Sequence, residues 1–505
     1  MQDVEHNLEP VAKTTPMIGP NPERVWLVWT LAGVVCAGIV VYAFVRAFVW
    51  DEGFHLVAAQ LILAGKRPYI DFCFPQTPLN AYWNAASMLL FGQYWRVTHI
   101  PAALELVAAV LLFTHYLLSR FPVRTWRVPC VAVGVLFFGA NSTLIEFGPV
   151  AQAYAICVLS GLAAYLLTLG AVRREGIWRA FLAGLASGIG ASSSLLIAPI
   201  LPVLLAWLFF KNQAGNRLRK AIAFLAGTLP PFLPVFWLFV QSPHATFFNV
   251  VQYQAIFRRA DWATSLAASH DFVVLTDWVD SGQILLLMVF AAIAILYVRR
   301  RKRDLPSSLR EEFWLAVWLS LALALYISTA HPTFARYYII GMPLYAIVAA
   351  PGLMIIGSRL LSPERPWRPA IIVALILVLA LARSLFDERD GATWGRYEEM
   401  SREVAKVTPP TAKLFADEQI YFLLHRQPPS GLEFSYSHKV DLGPKENALL
   451  HIIPTKQLEE QVKAGVYATA ETCDDDKIDD WHLHDIYKHR KDVADCSIFW
   501  DFKKK

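Results

Sequence analysis

The residues best equipped for chemistry lie in one stretch, DEGFHLVAAQLILAGKRPYIDFCFPQTPLNAYWNAASMLLFG, running from Asp51 to Gly92. Asp51 and Glu52 open it, and Asp71 follows twenty positions later in a loop bounded by Pro68, Pro75 and Pro78. Carboxylates held on one surface can act as a general base and its orienting partner, or Asp51 and Asp71 can share a divalent ion. The plainer reading makes Asp51 a helix N-cap and the other acids solvated loop residues. His55 lies one helical turn from Asp51 and reads as a packing or site-lining residue. Glu146 is a further acid on the same side. Arg258, Arg259 and Arg336, the last followed by Tyr337 and Tyr338, supply cations suited to an anionic group. Arginines flanked by aromatics also serve as plain interfacial anchors.

These side chains need a frame, and the composition supplies one. Of 505 residues 56% are hydrophobic and 17% charged, against roughly a quarter charged in an average soluble domain. The apolar residues gather in long runs, among them Val25 to Trp50, Arg96 to Leu118, Ala151 to Leu169, Ala221 to Val240 and Ala370 to Leu385. A spanning helix needs about 20 such residues, and the runs give a polytopic α-helical membrane protein of about 11 spans. The first run is too long for a secretory leader and reads as an uncleaved span behind a cytoplasmic tail, residues 1–24. Arg46 and Glu105 fall inside spans, where a buried ion pair is the expected arrangement.

Lysine and arginine are retained in cytoplasmic loops. The clusters Arg120, Arg124, Arg127; Arg173, Arg174, Arg179; Lys211, Arg217, Arg219, Lys220; Arg299 to Arg303; and Arg359, Arg365, Arg368 fall on one side. That alternation puts the N-terminus inside and leaves three long external segments: 51–95, 242–282 and the tail 387–505. It also explains the net charge of +5 without a nucleic-acid partner. Residues 25–386 form the transmembrane domain. Its 51–95 loop carries two surface helices, Glu52 to Ala64, stopped by Gly65, and Leu79 to Phe91.

The tail reads as a small α/β domain. Strands are expected at Lys413 to Ala416, Leu449 to Ile453, Val466 to Ala470 and Ser497 to Phe502, with helices at Glu418 to His425 and Lys456 to Lys463. Cys473 and Cys496 stand in this polar tail as a candidate disulfide, whereas Cys36, Cys73, Cys130 and Cys157 sit in or near apolar runs. No GxGxxG, P-loop or zinc spacing occurs.

The 51–92 stretch resembles the first external loop of GT-C glycosyltransferases. That multi-span class includes protein O-mannosyltransferases, lipid A aminoarabinose transferases and bacterial lipopolysaccharide-modifying RgtA/B/C/D-like enzymes. The likeness rests on Asp51-Glu52 at the exit of the first span; then Gly65, Pro68, Tyr69 and Asp71; then Pro75, Pro78 and Phe91-Gly92. Gln76-Thr77-Pro78 replaces the His-Pro-Pro of many relatives. Arg336-Tyr337-Tyr338 followed by Met342-Pro343 resembles a second, later segment of the class.

The resemblance implies an inverting, membrane-embedded transfer of a sugar from a polyprenyl-phosphate donor to a glycan, lipid or protein acceptor on the outer face. It implies Asp51 as base, Glu52 and Asp71 as orienting groups or metal ligands, and Arg336 with Tyr338 on the donor phosphate. A divalent metal is an option and no organic cofactor is called for. The layout suits a bacterial inner membrane with the C-terminal domain in the periplasm. The competing reading is a transporter or lipid flippase, against which stand the absence of a repeat and the gathering of charge at the outer surface.

Overall fold

A computed structural model describes residues 24–49, 51–211, 216–261, 271–301, 306–360, 365–387, 389 and 394–503. The expected tail, apart from its last residue, and residues 262–270 of the 242–282 segment lie outside the described residues. Among those described, eight helices are long and apolar enough to cross a membrane: Val25–Val45, Trp95–Arg120, Tyr154–Arg173, Arg217–Gln241, Gly282–Arg300, Ser307–Thr329, Ala335–Arg359 and Trp367–Asp387. Large apolar side chains such as Val41, Leu225, Leu233, Val240 and Leu379 stand exposed along them. Water would disfavour a surface of that kind and lipid favours it, so the chain is an integral membrane protein. About 11 spans were expected; three shorter helices, Arg124–Gly139, Trp178–Ser193 and Leu195–Phe210, also lie in the bundle. At ~1.5 Å per residue they fall short of a ~30 Å hydrocarbon core unless the bilayer or the chain adjusts.

Small residues bring the helices together. A Cβ on Gly184 would lie 1.9 Å from the Phe224 carbonyl oxygen, and one on Gly227 would lie 2.0 Å from that of Phe181. The helices Trp178–Ser193 and Arg217–Thr228 therefore touch backbone to backbone, the packing that replaces hydrophobic drive inside a bilayer.

A second core joins the 51–95 segment to the C-terminal residues. Phe54, Leu56, Val57, Tyr69, Phe72 and Phe74 bury against Trp394, Met400, Ile420, Tyr421 and Phe434. The helix Glu52–Leu63 is consequently enclosed on nearly every side, where an amphipathic helix lying on the membrane was expected. The cause is the helix Glu418–Leu423 on its upper face: a Cβ on Gly53 would sit 2.8 Å from Gln419 Oε1. The second expected surface helix forms at Leu79–Phe91 and keeps Leu89, Leu90 and Phe91 exposed.

The C-terminal sheet has four strands, β1 (Leu414–Phe415), β2 (Thr469–Thr472), β3 (Tyr487–Val493) and β4 (Cys496–Phe502), in the order β1-β2-β4-β3. β1 and β2 run parallel and the other pairs antiparallel. The Cys473–Cys496 disulfide forms, tying the end of β2 to the start of β4. Helices Glu418–Leu423 and Thr455–Lys463 lie where expected. The strand expected at 449–453 is instead the end of helix Pro444–Leu449 and a turn through His451, whose φ is +54°. The strand expected at 466–470 begins three residues later, at Thr469.

Candidate active site

Asp51 occupies the N-cap position of helix Glu52–Leu63, yet its side chain makes no capping bond. Its Oδ2 accepts a hydrogen bond from Arg336 Nη2 at 2.8 Å, and both side chains are mostly buried. The Arg336 guanidinium lies 4.3 Å over the Phe334 ring, and its Nε is buried with no hydrogen-bond partner. The pair joins the exit of the first span to the short 3-10 helix Ala335–Gly341, almost three hundred residues away in sequence.

A cavity of about 460 Å³ opens beside them. One wall is Asp51, Phe54 and His55; a second is Gln152, Tyr154 and Tyr337. A third comes from Phe248–Phe257, a π-helix, a rare form that recurs at functional sites. It turns Val250 and Gln254 toward the cavity, and Arg258, the first residue of the helix that follows, joins them. Gln254 Nε2 donates to the Pro75 carbonyl at 2.6 Å, and Asn249 Oδ1 accepts from Phe74 N at 2.9 Å, so this helix is stitched to the proline-bounded loop. Arg258 donates to Tyr337 Oη at 2.9 Å and to Gln254 Oε1 at 3.0 Å. Arg259 lines the same cavity and is exposed. Phe434 and Tyr436 of the C-terminal region complete the wall.

The other acids sit elsewhere. Glu52 is fully buried. Its Oε1 lies 2.6 Å from His99 Nε2 and accepts from Ala151 N at 2.9 Å. It therefore holds the backbone and does not face the cavity. Asp71 lies at the outer edge of the loop, where Arg67 grips it through Nε (3.0 Å), Nη2 (3.2 Å) and the backbone N–H (2.7 Å). Those hydrogen bonds hold its carboxyl below the usual carboxylate range. Asp51 and Asp71 are thus engaged by different arginines, and of the two only Asp51 lines the cavity. One group of acid, histidine and cysteine side chains among the described residues is close enough to hold an ion, Glu471 with Cys473 and Cys496, and both sulfurs are spent in the disulfide.

Glu146 bonds Arg46 at 3.1 Å. This replaces the expected Arg46–Glu105 pair, and Glu105 takes a hydrogen bond from Trp83 instead. Tyr338 is fully buried, shares a hydrogen bond with Ser328 Oγ at 2.9 Å and stacks on Trp278. Tyr337, its neighbour, is the residue that reaches the cavity. Consecutive positions on a 3-10 turn point in different directions, so Tyr337 and Tyr338 cannot both face it.

Comparison with solved structures finds ArnT from Cupriavidus metallidurans bound to undecaprenyl phosphate. Identity is 13% over 94% of this chain and 98% of that one, with a TM-score of 0.65. The apo state of the same protein matches equally, at 13% identity, 94% and 97% coverage and a TM-score of 0.65. The fold is GT-C. The oligosaccharyltransferase of Archaeoglobus fulgidus in the apo form also matches, with 13% identity over 80% of this chain and 64% of that one and a TM-score of 0.47. Neither protein-family models nor curated protein sequences give a match.

Of the residues singled out from the sequence, Asp51 and Arg336 are brought together beside the cavity. Both stand where a span meets a loop, at residue types that draw the eye. Tyr154, Gln152 and Gln254 are ordinary residues of apolar stretches. Phe434 and Tyr436 belong to a region whose docking on the bundle has no local signal.

Proposed function

We propose that the chain is an inverting glycosyltransferase that moves a sugar from a polyprenyl-phosphate carrier to a hydroxyl of a glycan, lipid or protein acceptor. The observation that carries this is Asp51, which lines a cavity at one end of the bundle and is hydrogen-bonded to Arg336 behind it, in a GT-C fold. The ArnT structure holding undecaprenyl phosphate supports a carrier of that class. The side bearing Asp51 is the non-cytoplasmic face, since the arginine clusters collect at the other.

Arg336 has donors to spare and one anionic partner. A carrier phosphate arriving beside it competes with Asp51 for the guanidinium, and charge-assisted bonds of this kind stabilise a departing phosphate. As Arg336 turns to the phosphate, the Asp51 carboxylate oxygen it held is free to meet the acceptor hydroxyl. The acceptor oxygen then bonds to the anomeric carbon. The bond from that carbon to the phosphate oxygen breaks, its electron pair leaving on the lipid phosphate, and the acceptor proton passes to Asp51. Arg258 adds a second cation beside the leaving group. Glu52 acts as a positioning residue through Ala151, and Asp71 fixes the loop through Arg67.

The test incubates membranes carrying the full chain with radiolabelled polyprenyl-phosphate sugars and compares wild type with Asp51→Asn. Label transfer by wild type and its loss in the variant are expected. Equal transfer by both sinks the role of Asp51, and no transfer from any carrier sinks the activity.

A further inference from the structure

Two polar groups on the cavity wall have no role in the scheme above. His55 and Gln152 are each 6% exposed, both line the cavity, and His55 Nδ1 and Gln152 Nε2 are buried without a hydrogen-bond partner. Leaving a buried donor or acceptor unpaired costs about 1–3 kcal/mol, and most buried polar groups in folded proteins are paired. Two such groups on one cavity wall, on the side of the base, mark a place where a ligand supplies the missing partners.

Both are held for the purpose. The His55 ring stacks on Phe54, with centroids 4.3 Å apart, and stands edge-on to Phe74. Its orientation is thus set by apolar contacts that leave the nitrogens unspent. Gln152 follows Ala151, whose N–H is bound by Glu52 and whose carbonyl accepts from Asn80 Nδ2 at 3.0 Å and Asn84 Nδ2 at 2.7 Å. Three side chains thereby clamp the backbone from which Gln152 projects.

Resting on the transferase reading, we infer that His55 and Gln152 form a subsite for hydroxyl groups of the transferred sugar, and that this sugar is uncharged. A hydroxyl both donates and accepts, so it satisfies an amide N–H and an imidazole nitrogen in either tautomer. Burial keeps the His55 ring neutral, its pKa lowered to about 4 against the pull of Asp51 and Glu52, and Gln152 carries no charge. An ammonium or carboxylate placed between these two groups would gain no charged partner from either of them, a cost that favours a neutral ring.

The experiment measures binding to the full chain in lipid nanodiscs of three probes: undecaprenyl phosphate, its uncharged hexose conjugate and its amino-sugar conjugate. Wild type is expected to hold the hexose conjugate about tenfold tighter than the sugar-free carrier and to prefer it to the amino sugar. Gln152→Leu and His55→Phe should each erase the sugar preference while keeping affinity for the bare carrier, which also reports that the variant is folded. Gln152→Glu and His55→Asn, closer in size, serve where the apolar variants fail to fold, and Gln152→Glu should move the preference toward the amino sugar. Carrier binding with no sugar preference in wild type, or a preference untouched by the variants, overturns the subsite and leaves the transferase reading standing. Absence of binding by any carrier overturns both.

Discussion

At one end of the bundle Glu312, 2% exposed, accepts hydrogen bonds from Arg120, Arg173 and Tyr116, and Tyr165 binds its carbonyl. At the other end Asp51 accepts one from Arg336. The ingredients are alike, arginine, carboxylate and tyrosine, but the accounts differ. Around Glu312 the donors outnumber the oxygens, and the adjoining cavity is about 100 Å³. Around Asp51 stand an unpaired Arg336 Nε, an unpaired His55 Nδ1, an unpaired Gln152 Nε2 and a cavity of about 460 Å³. A satisfied charge centre fastens helices; a centre with bonds left to make is built to receive something.

Substitution separates the two ends. Asp51→Asn should lower the transfer rate by about 10²–10⁴-fold while leaving the melting temperature in detergent near that of wild type; a large fall in melting temperature would place Asp51 with Glu312 as a structural residue. Glu312→Ala strands two arginines and should cost about 3–5 kcal/mol of stability, read as a lowered melting temperature; a stable protein that fails only in turnover would overturn the contrast. Arg336→Lys keeps the charge but gives up the planar fork and the stack on Phe334, so carrier affinity should weaken about tenfold, with stability nearly unchanged in the same melts.

Asp71→Asn should change stability by no more than about 1 kcal/mol, because its partner Arg67 is 44% exposed and the pair is screened by solvent. Equal transfer kinetics at saturating donor would support a purely local role. The smallest effect concerns pH. Burial pushes Glu433 up to about 7, so the folded state holds its proton longer than the unfolded chain does. Its contribution is full below the ordinary carboxylate range and is lost as pH rises through about 7. Glu433→Gln should flatten that part of the curve of stability against pH, followed by Trp fluorescence or proteolysis of the C-terminal region.

The bundle and the exit of the first span were legible because their signals are local. Long apolar runs, basic clusters, and the order Gly65, Pro68, Tyr69, Asp71 can be read within a few tens of residues, and Gly65 does adopt a φ of +82°. The ion pairs were not legible in the same way. Arg46 finds Glu146 and Asp51 finds Arg336 across distances in sequence that no periodicity encodes. β3 escaped notice for a different reason. Lys488, His489, Arg490, Lys491 and Asp492 are all exposed on this edge strand, so it lacks the apolar alternation that marks a half-buried one, and its charges guard the edge. The helix Trp394–Val407 was missed too. Only Trp394, Met400, Ser401 and Val404 are buried along it, and Trp394, stacked on Trp95 and bonded to the Arg46 carbonyl, is what fastens the C-terminal region to the spans.

Phe434 and Tyr436 have a consequence for the order of events in biosynthesis. They are translated after the eight described helices long and apolar enough to span, so Asp51 and Arg336 can be brought together while one side of the cavity beside them is still open. The chamber closes only when the last stretch of chain has emerged, folded and settled over the helix Glu52–Leu63. A ribosome that stalls before that point leaves an inserted bundle whose cavity still lacks one wall.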